Sequence, residues 1–279
     1  MHPITNMAST FSLSSEQVPT EDVLQNSLSL IGLSDMPLIM PGDDLVSVII
    51  DRIEQSATKV FEGDIFVIAQ KIISKAENCY VDLRTITPSS KALELAEIVE
   101  KDPCLVEVIL SESSDVVAYR QGVLIVTHRN GYVMANAGVD ASNLEPDGDG
   151  SERVLLLPLD ADASCAHLRQ AFENHFGCRI GVIINDSVGR PWRNGSVSLA
   201  LGVSGPPAVW DRIGQQDLYG RELQVTQIGF ADQIAAAAAL VMGEGAEGIP
   251  VVKVGNLAWE TSTTNGRQLL RDKKQDLFR

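Results

Sequence analysis

Three carboxylates stand in short polar stretches that each follow a run of apolar residues: Asp140, Asp186 and Glu244. No His or Cys accompanies them in these stretches. Carboxylate oxygens without imidazole or thiolate partners suit a hard cation such as Mg²⁺ or Mn²⁺. The residue types therefore predict a divalent-metal site if the three acids converge, which their spacing alone does not show. The alternative for Asp186 is a plain polar turn in which the carboxylate bonds its own backbone.

Four basic residues also follow apolar runs. Arg190 and Arg193 come shortly after Asp186, and their forked guanidinium groups match the oxygens of carboxylates and phosphates. Lys71 and Lys75 follow a different apolar run and suit phosphate oxygens. The alternatives are surface arginines on a loop and lysines on a solvated segment.

Short β-branched strands and amphipathic helices are predicted to position these residues. Buried strands are expected at 65–69 and 180–184, and a loop is expected from Asn185 to Gly195. A strand meander at 116–119, 123–128 and 132–135 precedes Asp140. Further strands are predicted at 154–157, 196–204, 224–228 and 251–254. Helices are predicted at 45–54, 89–100, 102–111, 161–176 and 230–242.

The last of these helices contains Ala235–Ala239 and has almost no polar face, so it is predicted to be buried. It ends at Gly243, and a glycine-rich loop then leads to a strand. A phosphate-binding P-loop has the opposite order, strand before helix, and a Gly-Lys-Ser/Thr that is missing here. Because the negative end of the helix faces this loop, Glu244 fits a metal better than the loop fits a Walker motif.

Composition limits the functional classes. The chain has 279 residues, 44% of them hydrophobic, and a formal net charge of −15. This charge argues against nucleic acid or an anionic membrane as a partner, and no apolar run reaches membrane-spanning length. The four cysteines form no C-x-x-C pair, which favours reduced thiols in a cytoplasmic protein. Residues 1–27, without any Lys or Arg, are expected to form a weakly ordered arm.

Several motifs, in one order over roughly residues 36–254, resemble those of the F420 gamma-glutamyl ligase family (coenzyme F420-0:L-glutamate ligases). The matching segments are Pro37-Leu38-Ile39, Pro41-Gly42-Asp43-Asp44-Leu45, Gly63-Asp64, Ile73-Ser74-Lys75-Ala76-Glu77, Asn136 to Asn143, Asp186 to Arg190, Asp217 to Leu223, and Met242-Gly243-Glu244-Gly245. The resemblance implies an α+β fold with mixed β-sheets and flanking helices, in a two-domain subunit that forms an intertwined homodimer. The ligase-like domain, with two subdomains, would span 28–258, before a C-terminal tail at 259–279.

The resemblance also implies an activity. The enzyme would add L-glutamate to coenzyme F420-0, or a close deazaflavin variant, through an acyl phosphate, and extend a gamma-linked poly-glutamate tail. GTP would be the co-substrate, two Mg²⁺ or Mn²⁺ ions would occupy each site, and K⁺ would be a further cofactor. Phosphoryl transfer depends on positioning and charge neutralisation more than on covalent protein chemistry. That requirement agrees with a site of carboxylates and arginines.

The family's functional positions map onto this chain residue by residue. The resemblance implies metal ligation by Asp140, Asp186, Ser187 and Glu244. Arg190 and Arg193 are the candidate catalytic residues, because their forked donors would hold substrate carboxylate or phosphate. Nucleotide contacts are implied for Met36, Pro37, Leu38, Ile39, Gln70, Lys75, Asn143, Met242, Gly243, Gly245, Ala246, Glu247, Gly248 and Ile249.

Three positions depart from the family pattern. Gln70 replaces a small hydroxyl residue, Met40 stands where a basic residue often occurs, and Asn194 stands where a second basic residue can occur. Fewer positive charges alter the expected phosphate contacts. Two other functions agree with the same residues: a metal-dependent hydrolase of nucleotides or phosphoesters, and a deazaflavin or nucleotide carrier without catalysis.

Overall fold

The structure is a computed structural model that describes residues 27–144 and 152–277. These residues form a mixed α+β fold, which confirms the predicted fold class at that level. The helices are α1 (Leu45–Gln55), α2 (Gln70–Ala76), α3 (Ser90–Val99), α4 (Pro103–Ser111), α5 (Ala161–Phe176) and α6 (Phe230–Met242). The strands are β1 (Ser29–Gly32), β2 (Ile65–Ala69), β3 (Tyr80–Asp82), β4 (Ser113–Arg120), β5 (Val123–His128), β6 (Val133–Ala135), β7 (Arg153–Leu155), β8 (Gly181–Arg190), β9 (Arg193–Ser204), β10 (Trp210–Asp211), β11 (Gln227–Ile228) and β12 (Val251–Gly255).

A five-stranded sheet, in the order β1-β12-β2-β8-β9, forms the centre of the fold. Only β2 and β8 within it run parallel, and the other neighbours are antiparallel. Side chains alternate between the two faces of a strand. Phe66 and Ile184 pack with α1 and α5 on one face. Val67 and Ile183 pack with α6 on the other, so the sheet is covered on both sides.

A third hydrophobic cluster lies around α3 and α4. The strands β4, β5 and β6 form an antiparallel sheet beside these helices, and β3 pairs with β7 in a separate ribbon. Asp140 is tied to the ribbon by two backbone hydrogen bonds with Leu155. This part of the fold therefore carries one of the predicted metal ligands toward the central sheet.

Helix ends follow the sequence signals closely. Asp102 caps α4 by accepting from Leu105 N at 2.9 Å, and Pro103 occupies the first turn. Asp160 caps α5, and Gly177 ends it with a left-handed backbone at φ 67°. The predicted helices and the strand meander are confirmed, with shifts of a few residues at some ends.

Three expectations need correction, and some elements were not predicted. The loop predicted from Asn185 onward is wrong, because β8 continues to Arg190 in a ladder with β9. The segment after Ala69 forms helix α2, and β3 was not predicted. The predicted strand at 224–228 shortens to β11. Helix α6 is buried on one side only in this chain, since Leu240 is 86% exposed.

The predicted domain limits stay predictions. Residues 1–26 of the expected arm lie outside the described residues. In the expected tail, Trp259 is buried and its indole N–H donates to Gly63 O at 2.7 Å. None of the helices in residues 27–144 and 152–277 has the length and apolarity needed to cross a membrane.

Candidate active site

A cavity of about 740 Å³ opens beside the central sheet, where β2 ends and the parallel strand β8 passes through Asn185, Asp186 and Ser187. Ala69, the last residue of β2, pairs with Asn185 of β8. The loop after α6 closes a second side before it enters β12, where Ala69 N donates to Pro250 O at 2.8 Å. Polar residues just after β2 and within the adjacent part of β8 are thereby brought together.

Every residue implied to hold metal or nucleotide lines this cavity. They are Met36, Pro37, Leu38, Ile39, Gln70, Lys75, Asn143, Met242, Gly243, Gly245, Ala246, Glu247, Gly248, Ile249, Asp140, Asp186, Ser187 and Glu244. The convergence that the sequence left open is therefore present in the fold. Their roles in binding are taken up under the proposed function.

Asp140 is held by a lysine. Its carboxylate lies 2.7 Å from Lys71 Nζ and accepts from the backbone N–H of Ser142, also at 2.7 Å. Burial raises the pKa of Asp140, but the hydrogen bonds and charge of Lys71 and the hydrogen bonds of Ser142 outweigh it and leave the pKa below its ordinary value. Asp140 is therefore an anion paired with an ammonium group in this structure.

Asp186 has the opposite electrostatic situation. Burial raises its pKa to about 6, although the backbone N–H of Ser187 acts in the other direction. The negative charges of Asp140 and Glu244 also raise it, which places the three acids within electrostatic reach of one another. A carboxylate whose ionised form is this unfavourable would be stabilised by an added cation.

The acids do not form a ready-made ligand cage. Within the described part of the chain, no three His, Cys, Asp or Glu side chains are grouped closely enough to share an ion. Lys71 instead provides positive charge at Asp140. The residues nonetheless fit a hard cation, because the donors are oxygens and the charge of Lys71 only partly offsets the burial of Asp186.

The implied nucleotide-contacting segments touch one another across the cavity. Lys75 Nζ donates to Asn143 O at 2.8 Å, and Asn143 Nδ2 donates to Gly245 O at 3.4 Å. The loop after α6 turns at Gly243 (φ 71°), where a Cβ would clash with Glu247. The Glu247 carboxylate accepts from Gly245 N at 2.8 Å, so this loop is folded on itself.

Arg190 and Arg193 lie outside the cavity. They face each other across the Pro191-Trp192 turn that joins β8 to β9, and neither lines the cavity. Arg190 Nη2 donates to Asn194 O at 3.4 Å. Since β8 continues as a strand past Asp186, it carries these arginines outward on a hairpin.

Some cavity residues were not among the metal, nucleotide or catalytic positions assigned from the sequence: Lys71, which was considered only as a possible phosphate contact, and Tyr80, Arg153, Asn185 and Ser198. Lys71 carried a sequence signal, since it follows a buried strand as Lys75 does. Asn185 did too, because it is a polar residue that directly follows the apolar run before Asp186. Tyr80, Arg153 and Ser198 lie on strands and had no comparable signal.

Comparison with known proteins identifies the family of this chain. The sequence profile of the F420-0:Gamma-glutamyl ligase family matches residues 34–256. The chain belongs to this family. The coenzyme F420:L-glutamate ligase of Methanothermobacter thermautotrophicus is 42% identical over 254 residues, which cover 90% of this chain and 99% of the relative. The enzymes of the same name from Methanocaldococcus jannaschii (41% over 256 residues, 91% and 98% covered) and Archaeoglobus fulgidus (42% over 246 residues, 88% and 93% covered) are also similar.

Proposed function

We propose that this protein is a ligase that joins L-glutamate to coenzyme F420-0. The observation that carries the proposal is the convergence of the implied metal and nucleotide residues on one cavity, at the end of the central sheet. The relatives named as coenzyme F420:L-glutamate ligases align over nearly their whole lengths, which supports the same activity here.

The reaction needs an activated carboxylate, because a carboxylate is a poor acyl donor. GTP would transfer its γ-phosphoryl group to the carboxylate of F420-0, giving GDP and an acyl phosphate. The glutamate amine would attack the acyl carbon, forming the amide and releasing inorganic phosphate and a proton. Repetition on the new glutamate would extend a gamma-linked tail.

The chain's residues support this chemistry by charge. Asp140, Asp186, Ser187 and Glu244 would hold two Mg²⁺ or Mn²⁺ ions, which when bound supply charge neutralisation for the phosphates. Lys75 and the loop from Gly243 to Ile249 would orient the nucleotide. K⁺ would be a further cofactor.

The four free thiols are those of Cys79, Cys104, Cys165 and Cys178, and reduced thiols support a cytoplasmic location.

Mass spectrometry of the product tests the activity. Purified protein with F420-0, L-glutamate, GTP, Mn²⁺ and K⁺ is expected to yield F420-0 plus glutamate residues, with GDP formed in step. Omission of glutamate should stop GDP release, and ATP should replace GTP poorly. Phosphate release without glutamate would indicate a hydrolase instead, and tight binding without turnover would indicate a carrier.

We also propose the two-subdomain subunit and the intertwined homodimer. The segment after β10 exposes Leu218 (99%), Tyr219 (90%) and Val225 (85%), an unusual concentration of apolar surface that a second subunit would cover. The separate hydrophobic cluster around α3 and α4 supports a second subdomain. Sedimentation equilibrium is expected to give a dimer mass for the parent and a monomer mass for Leu218→Glu combined with Val225→Glu. A monomeric parent would contradict the dimer.

Within that dimer, Arg190 and Arg193 would serve the cavity of the other subunit, since they do not line their own. Mixed dimers test this. Asp186→Asn and the double variant Arg190→Ala with Arg193→Ala are each expected to be inactive alone. A heterodimer of the two contains one cavity with every residue intact only if the arginines act across the interface. Absence of recovered activity in purified heterodimers would place them with their own chain.

A further inference from the structure

Asn185 has an unused hydrogen-bond acceptor in the wall of the cavity. The residue is 3% exposed, lines the cavity, and its Oδ1 is buried without a hydrogen-bond partner in the described structure. A buried polar atom without a partner is costly, commonly about 1–3 kcal/mol. Such an atom on a cavity wall indicates a place where a ligand supplies the missing donor.

The orientation of the amide follows from its neighbours. Asn185 Nδ2 lies 3.1 Å from Ser198 Oγ and 3.4 Å from Met242 Sδ. A thioether sulfur only accepts hydrogen bonds, so the NH₂ group of the amide must face it. The reversed amide would place an oxygen against the sulfur. Met242 thus fixes the acceptor, Oδ1, on the side without a protein partner.

Asn185 is distinct from the acids beside it. Successive side chains of a strand point to opposite faces, and Asn185 contacts the α6 side through Met242. The charges that act on Asp186 are those of Asp140, Lys71 and Glu244. The surroundings of Asn185 are rich in acceptors, since the negative C-terminal end of α6 stops at Gly243 next to Met242. A divalent ion needs negative charge to neutralise it, which carboxylates provide and the neutral amide of Asn185, hydroxyl of Ser198 and thioether of Met242 do not.

We propose that Asn185 Oδ1 accepts a hydrogen bond from the α-amino group of the incoming glutamate. This inference rests on the proposed function, which supplies glutamate as a substrate. A cationic ammonium group offers several N–H donors to an acceptor-rich wall, and the free amine that later attacks still has N–H bonds to donate. Asn185 would therefore select an amine-bearing acceptor and orient its nitrogen before the amide bond forms.

The test compares two ligands that differ by the amino group. Asn185→Leu keeps the side-chain size and removes Oδ1. The KM for L-glutamate is expected to rise about tenfold to a hundredfold, the effect of losing one hydrogen bond to a charged group. The inhibition constant of glutarate, which lacks the amine, and the KM for GTP should change less than about threefold.

Ser198→Ala is the matched control, because it removes a partner of Nδ2 and leaves Oδ1 in place. Its glutamate KM should change less than threefold, and calorimetry of L-glutamate binding should follow the same pattern. Equal weakening of glutamate and glutarate by Asn185→Leu, an unchanged glutamate KM, or a change confined to the K⁺ or Mn²⁺ requirement would overturn the assignment. Failure of the parent protein to use glutamate at all would contradict the proposed function instead.

Discussion

The two ends of the central sheet differ in how the charges of their acidic side chains are neutralised. Asp64, just before β2, is 3% exposed and lies 2.8 Å from Lys253 Nζ, and it also accepts from Phe61 N at 3.0 Å. At the other end, the pKa of Asp186 is raised to about 6 and Asn185 Oδ1 has no partner in the described structure. One sheet therefore contains a fully paired acid, which holds strands together, and a partly compensated group of polar atoms, which a ligand could complete.

This difference separates structural from functional polarity. A buried charge that already has a partner gains nothing from a ligand, and removal of the partner damages the fold. A buried polar group without a partner weakens the fold until something binds. The same kind of substitution should therefore affect stability at one end and activity at the other.

The largest expected effect is on stability at the compensated end. Lys253→Met leaves the Asp64 carboxylate buried without a countercharge, so we expect the free energy of unfolding to fall by about 3–5 kcal/mol. Urea unfolding at pH 7 measures it. Adding Asp64→Asn to the same chain should restore most of the loss, because no buried charge is left. A loss below 1 kcal/mol in the single variant would contradict the comparison.

Asp186→Asn should chiefly remove activity. Loss of a carboxylate that helps to neutralise phosphate charge is expected to lower kcat at least about a hundredfold, or about 2.7 kcal/mol of barrier. The affinity for Mn²⁺ should fall as well, while circular dichroism stays unchanged. Asp51→Asn, an exposed acid on α1, is the matched control for the change in charge. A folded Asp186→Asn variant with near-normal turnover would remove the metal assignment.

The same variant should gain stability without metal, in a pH-dependent way. The pKa of Asp186 rises from 3.8 in the unfolded chain to about 6 in the fold. The folded state thus holds the proton more tightly, and this contribution to stability is present below pH 4 and lost as pH rises through 6. In EDTA at pH 7.5, we expect the free energy of unfolding of Asp186→Asn to exceed that of the parent by about 1–2 kcal/mol. This value is reduced for solvent screening.

At pH 4 the two proteins should differ little, because the parent carboxyl is then protonated in the fold. Urea unfolding at both pH values measures the difference. Saturating Mn²⁺ should reverse the order at pH 7.5, since an ion bound only to the folded parent stabilises it by mass action. A pH-independent difference would mean that Asp186 is not the group responsible.

The presence of helices and strands was predicted better than the lengths of the strands. Strong local signals decided the helices, such as Asp102-Pro103 before α4 and Gly177 after α5. The continuation of β8 through Asp186 depends on cross-strand pairing with β9, for example Asp186 with Leu199, and pairing between distant residues leaves little local signal. Polar residues such as Asn185 and Asp186 at a strand end were therefore interpreted as a loop.

Without the family resemblance, the candidate site was predictable only where its residues followed apolar runs. Asp140, Asp186 and Glu244 stood out for that reason, and the fold brings them to one cavity. Tyr80 and Arg153 reach the same cavity through the ribbon of β3 and β7, and nothing in the local sequence predicts this pairing. The unpaired acceptor of Asn185 is recognised from the contacts of its amide with Ser198 and Met242, and such contacts cannot be deduced from the sequence.

The smallest expected effect comes from a second lysine substitution. Lys71 and Lys253 each form an ion pair with an aspartate, at 2.7 and 2.8 Å. The side chains of Lys71 and Asp140 are 23% and 36% exposed, whereas those of Lys253 and Asp64 are both 4% exposed. Water can solvate Asp140 after Lys71→Met, so the free energy of unfolding should change by less than about 1 kcal/mol. The pKa of Asp140 should then move up toward its ordinary value, because Lys71 is the main group that lowers it.

Urea unfolding of Lys71→Met and Lys253→Met under identical conditions makes the comparison direct. Both variants lose one ammonium group and gain one thioether, so burial of the abandoned aspartate is the main difference between them. A cost above about 2 kcal/mol for Lys71→Met would show that the Lys71–Asp140 pair also holds the fold together. Lys71 would then be a structural residue at the cavity edge. Asp140 would stay paired with Lys71 and would be less available than Asp186 to bind a cation.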